Sequence, residues 1–125
     1  MLRSVLAVVG GFVTMAAGVQ LMFLASYISA GASVEPSTLS MAWMLLGGFL
    51  AATLGGYVTG FIAGRGPLKH AAALAALCAL LSGVCLLLPG PAPFWFQLGN
   101  CVVGVAGPLL GGWLRELQVR RRPAA

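Results

Sequence analysis

The sequence predicts an all-α fold: a polytopic membrane protein whose four transmembrane helices form an antiparallel bundle. Three observations carry this. First, 60% of the residues are hydrophobic and 7% are charged, with a mean hydropathy of +1.00. A soluble domain needs a charged exterior, which two acids and seven bases cannot supply. Second, four apolar runs cover about residues 4–28, 39–63, 69–88 and 94–117. Each has the length of roughly 20 residues needed to cross about 30 Å of hydrocarbon. The segments joining them leave no room for a soluble domain, so residues 1–125 read as one transmembrane domain. Third, Arg3, Arg65, Lys69, Arg115, Arg120, Arg121 and Arg122 all fall on one side of a four-span arrangement. The positive-inside rule makes that side cytoplasmic, with both termini and the middle turn on it. The +5 charge therefore reads as topology and gives no reason to expect nucleic acid.

The first span follows Met1-Leu2-Arg3 and carries no charge as far as Ile28. Ala30-Gly31-Ala32 offers small residues of the kind a signal peptidase cuts, but the apolar run exceeds the roughly 7–15 residues of a signal core. A retained helix is expected. Gly10, Thr14 and Gly18 recur every fourth residue and make a narrow small face. Gln20 lies past the middle of the span, where an unpaired amide is costly, so it is expected to face another helix.

A polar loop containing Glu35 leads to Pro36, Ser37 and Thr38, residues suited to a helix start. The second span holds the strongest pattern in the chain. Gly48, Ala52, Gly56, Gly60 and Gly64 form one row at four-residue spacing, and Gly47, Ala51, Gly55, Thr59 and Ala63 form the adjacent row. Lipid gives little hydrophobic drive between helices, so close van der Waals contact between small residues holds them together. The rows mark a tightly packed central helix. Packing within one chain is the first expectation; a dimer seam or a glycine-lined pathway is the second.

Gly64-Arg65-Gly66-Pro67 closes the second helix and starts the third, and Arg65, Lys69 and His70 form a basic collar. The collar reads as a topology signal that also meets lipid headgroups, and the run Arg120, Arg121 and Arg122 reads the same way. The third span carries Cys78, Ser82 and Cys85. Pro89-Gly90-Pro91-Ala92-Pro93 is a stiff loop, and Phe94-Trp95-Phe96 reads as an interfacial anchor. The fourth span has Gln97, Asn100 and Cys101 early and then Gly104, Gly107, Pro108, Gly111 and Gly112. Pro108 removes a backbone donor and is expected to bend the helix. Glu116 and Arg120 have the spacing of a helical ion pair. Gly55-Gly56-Tyr57 and Gly111-Gly112-Trp113 stand 56 residues apart, the signature that a duplicated hairpin would leave.

No Asp, Glu, Lys or Arg lies in the middle of a span, which disfavours ion-coupled transport. The embedded glutamate of four-span multidrug exporters is absent from the first helix, as is the Thr/Ser/Phe-rich third-helix segment of fluoride channels. A serine or cysteine nucleophile would lack a base at membrane depth. His70 is the single histidine and both acids lie in other segments, so neither a metal nor another cofactor is expected, nor an enzyme. Cys85 and Cys101 lie at similar depth and leave a disulfide open, but plain buried thiols are the more ordinary outcome. Gln20, Gln97 and Asn100 could line a polar cavity or bond one another.

The segment LGGYVTGFIAGRGPLKHA, residues 54–71, resembles a pattern in small, uncharacterised bacterial four-helix membrane proteins. In them a GGY-containing second helix ends in a basic turn, followed by a proline and a His-Ala. The resemblance implies a bacterial inner-membrane protein of this architecture and carries no activity with it.

These readings point to a structural or accessory subunit that packs on itself or on a larger membrane-protein partner through glycine faces. The helix-packing residues would be Gly47, Gly48, Ala52, Gly55, Gly56, Gly60, Gly107 and Gly111. The alternative is an oligomeric channel or facilitator for a small solute. Topology is directly testable: alkaline phosphatase fused after Gly90 should be active and green fluorescent protein fused after Ala125 should fluoresce. The reverse pattern would invert the orientation.

Overall fold

A computed structural model describes residues 1–31 and 37–122. Glu35, Pro36 and Ala32, on which parts of the loop and signal-peptide readings fall, lie outside the described residues. The fold is four helices: α1 (Leu2–Ala30), α2 (Thr38–Ala63), α3 (Pro67–Leu87) and α4 (Phe94–Arg121). Each is long and apolar enough to cross a membrane. Their ends lie within about one turn of the expected spans: α1 and α4 run past theirs, to Ala30 and Arg121, and α3 starts two residues early and ends one residue short, at Leu87. There is no strand among the described residues.

Local chemistry sets the ends. Ser37 caps α2, its hydroxyl accepting from the Ser40 N–H at 3.2 Å. Gly64 and Gly66, with φ of 73° and 61°, turn the chain between α2 and α3. Both values lie in the left-handed region that glycine tolerates, and Pro67 then starts α3 without wasting an N–H. At the opposite end the Gln97 side-chain amide donates to the Ala92 carbonyl at 2.9 Å, tying the first turn of α4 to the proline-rich loop.

The helices run alternately up and down. α2 lies between α1 and α4, and α3 packs mainly on α4. The paired glycine rows of α2 serve two different neighbours. Gly47, Ala51, Gly55 and Thr59 face α1: a Cβ on Gly47 would strike Met22, one on Gly55 would lie 2.7 Å from the Gly11 carbonyl, and Ala51 meets Gly18. Thr59 is fully buried there, its hydroxyl donating to the Gly55 carbonyl at 2.9 Å. Gly48, Ala52, Gly56 and Gly60 face α4. Gly56 rests on the backbone of Pro108, Ala52 on Gly107, and Gly60 on the Arg115 stem. Gly111 in turn rests on the α2 backbone at Thr53 and Tyr57. Gly104 and Gly112 turn the other way, to Cys78 and Ala71 of α3. All eight expected helix-packing residues are buried.

Two expectations change. Gly10 and Gly18 meet α2 as expected, at Ile62 and Ala51, but the contact face of α1 also takes in Gly11, Met15 and Met22, and Thr14 donates its hydroxyl to its own helix, at the Gly10 carbonyl. Phe96 is core: it is buried among helices, while Trp95, edge-on to it at 5.9 Å, stays exposed. α4 is helical on both sides of Pro108, as the expected bend within one helix allows. The proline is fully buried, and α2 packs at Gly56 directly against its backbone.

Adding one methyl group separates these roles. Gly56→Ala should destabilise the detergent-solubilised protein by about 1–3 kcal/mol, because the Cβ has only Pro108 backbone to move against. Gly83→Ala, whose Cβ meets nothing within 4 Å, should stay within about 0.5 kcal/mol. Thermal unfolding of the two variants checks this.

Candidate functional site

The turn and helix ends bring the bases to one end of the bundle, where they do different things. Arg3 leaves the start of α1 and donates its Nε–H to the Ile62 carbonyl at 2.9 Å. That carbonyl is one of the orphan acceptors at the end of α2, and the positive charge suits the negative end of its dipole. Arg120 and Arg121 lie in the last turn of α4, again at a negative helix end. Arg120 also pairs with Glu116 at 2.6 Å, the expected one-turn ion pair. Arg65 is exposed in the turn beyond α2, and Arg122 is exposed after α4.

Lys69 is different. It lies in the first turn of α3, at the positive end of the dipole, and no acid shares that turn. Beside it, His70 bridges two helices: Nδ1 lies 3.0 Å from the Gly66 carbonyl and Nε2 lies 3.1 Å from the Ser4 hydroxyl of α1. A carbonyl can only accept, so Nδ1 carries a proton; in the neutral ring Nε2 then accepts from Ser4. Ser4, Lys69 and His70 rim an open groove of about 500 Å³ between α1 and α3, whose walls are Val5, Val8, Val9 and Ala73. The collar expected from sequence is therefore divided: Lys69 and His70 join Ser4 at the groove, while Arg65 and the bases at the end of α4 do not line it.

Arg115 is a residue that sequence reasoning missed. Its guanidinium lies 4.8 Å from the centre of the Phe61 ring and 5.8 Å from that of Tyr57. Gln118 accepts from the Tyr57 hydroxyl at 2.8 Å and from Arg115 at 3.3 Å. The Arg115 Nε–H is buried with no partner among the described residues. The available signal was the row ending in Gly60, whose missing side chain makes room for the arginine stem.

The expected polar cavity is partly assembled. Asn100 lines an open cleft of about 180 Å³ with Met15, Cys78 and Ser82, and Cys78 lies 3.9 Å from the Met15 sulfur. Gln97 is spent on the proline-rich loop. Gln20 is a correction: it is exposed on the outward side of α1 and faces no helix of this chain. The reason is register. α1 docks through Gly11, Met15, Gly18 and Met22, which turns residue 20 away. Cys78, Cys85 and Cys101 are all free thiols. Among the described residues no group of three His, Cys, Asp or Glu side chains is placed to hold a metal. Comparison with protein-family models, curated proteins and solved structures finds no match to this chain.

Arg115→Lys keeps the charge and loses the flat contact with Phe61. It should cost about 1 kcal/mol of thermal stability, whereas Arg121→Lys on the exposed end should cost almost nothing. Equal effects would mean that the aromatic contact contributes little.

Proposed function

We propose that the protein is a structural or accessory subunit of a bacterial inner membrane, with both termini cytoplasmic, that assembles with itself or with a larger membrane protein. The observation that carries this reading is Gln20. It lies in an apolar helix, exposed and without a hydrogen-bond partner among the described residues. Counting from the first helical residue at 1.5 Å per residue, it stands within about 10 Å of the middle of α1, well inside hydrocarbon. A bare amide there is costly in lipid and is satisfied by a partner helix. Along the same side Leu6, Val13, Leu24 and Tyr27 are all exposed, an outward apolar face. The glycine rows of α2 are spent inside the bundle, so the assembly surface moves from α2 to α1. The seven-to-none split of bases supports the orientation. The resemblance of residues 54–71 supports the bacterial setting. No acid lies in the middle of a span, which supports a role other than catalysis.

A second reading, a channel or facilitator for a small solute built by an oligomer, is favoured by one observation: Asn100 and Ser82 put polar groups into the cleft. Flux into proteoliposomes that is lost with Asn100→Leu would move weight to it.

Native mass spectrometry after gentle extraction tests the accessory reading. A heteromer or homo-oligomer is expected, and Gln20→Leu should weaken it about fivefold, the worth of roughly 1 kcal/mol for an interhelical polar contact. A bare monomer in its own lipids, or an assembly indifferent to Gln20→Leu, would overturn the reading.

A further inference from the structure

We infer that the groove between α1 and α3 is a binding site for one anionic phospholipid of the leaflet at the basic end, its phosphate at Lys69 and an acyl chain along the valines.

Electrostatics come first. Arg3, Arg120 and Arg121 all sit where a helix presents carbonyls, and their charges are answered there. Lys69 is not. Its ammonium stands at the start of α3, where the helix dipole adds to its charge, and it has no ion-pair partner among the described residues. α1 runs parallel to α3 and begins beside it, as the contact between Ser4 and His70 shows, so a second positive helix end faces the same mouth. Two helix starts and a lysine converge with no acid among the first-turn residues of either helix. The lysine charge and the positive ends of the two helix dipoles together favour an anion at this mouth.

Shape then selects the anion. A free phosphate would need only the rim, but the groove continues past it. Val5 and Val9 are more than half exposed, and with Val8 and Ala73 they form an apolar trough leading away from the charged mouth. Its volume of about 500 Å³ is many times that of an ion or a water molecule and suits a stretch of hydrocarbon chain. A polar rim over an apolar trough, at the level where an apolar helix begins, has the form of a phospholipid at the membrane interface. His70 fixes the rim: bonded to Gly66 on its own helix and to Ser4 on the other, it sets the width of the mouth.

The experiment is lipid retention by the full-length protein in native mass spectrometry, with dioleoyl phosphatidylglycerol and dioleoyl phosphatidylcholine as probes. One phosphatidylglycerol should be held preferentially, and Lys69→Gln should weaken it about fivefold, the worth of one interfacial base. Arg121→Gln with Arg122→Gln removes twice the charge away from the groove and should leave that lipid in place. Ala73→Trp fills the trough without touching the charge and should displace it. Equal retention of the two lipids would overturn the site, as would an equal loss from the double arginine variant. So would indifference to Ala73→Trp, or displacement by water-soluble glycerol phosphate at matched concentration.

Discussion

Backbone contact between α2 and its neighbours sets the rest of the structure. In lipid there is no hydrophobic gain in pressing one apolar helix on another, so stability comes from contact distance. α2 achieves this on two sides. Its Gly55 row meets the Gly11 backbone of α1, and its Gly56 row meets the Pro108 backbone of α4. Contact at this range leaves no room for a side chain on α2 at Gly55 and Gly56, which is why small residues fill the rows and why few large side chains reach full burial. The fully buried side chains of any size are Leu74, Thr59 and Pro108. The core is thus built largely of backbone, and most large apolar side chains are directed outward.

Once α2 fixes two neighbours, the polar ends follow. Gly60 leaves space for the Arg115 stem, whose guanidinium then meets Phe61 and Tyr57 of α2. The two left-handed glycines after α2 reverse the chain so that α3 starts near the beginning of α1, and His70 closes that approach through Ser4. Charges at this end accordingly fall into two groups. Those at the ends of α2 and α4 answer carbonyls, and Lys69 at the start of α3 does not.

Polar groups within the spans were sorted by register. Thr14, Thr53 and Thr59 return their hydroxyls to their own helices, at Gly10, Phe49 and Gly55, and so cross the apolar region without cost. Asn100 makes no such bond among the described residues and opens to the cleft. Gln20 was carried outward because α1 docks on the row of Gly11 and Gly18.

The fold class, the number of helices and the collection of bases at one end were legible in the sequence, because span length, hydropathy and charge placement are properties of the chain taken one segment at a time. The row pattern of α2 was legible too, since glycine at four-residue spacing defines a face whatever lies against it. Which neighbour each row serves was decided by the tertiary structure, because a smooth face does not specify its partner. The same holds for Gln20, Phe96 and Arg115. A turn of one residue in α1 moves residue 20 through about 100°, from an inner position to an outer one. Phe96 looked interfacial by its neighbours in sequence and became core because α1 and α2 lie over it. The groove of Ser4, Lys69 and His70 joins residues more than 60 apart in the chain. No local pattern announces it; it exists because the α2–α3 turn sets two helix starts side by side.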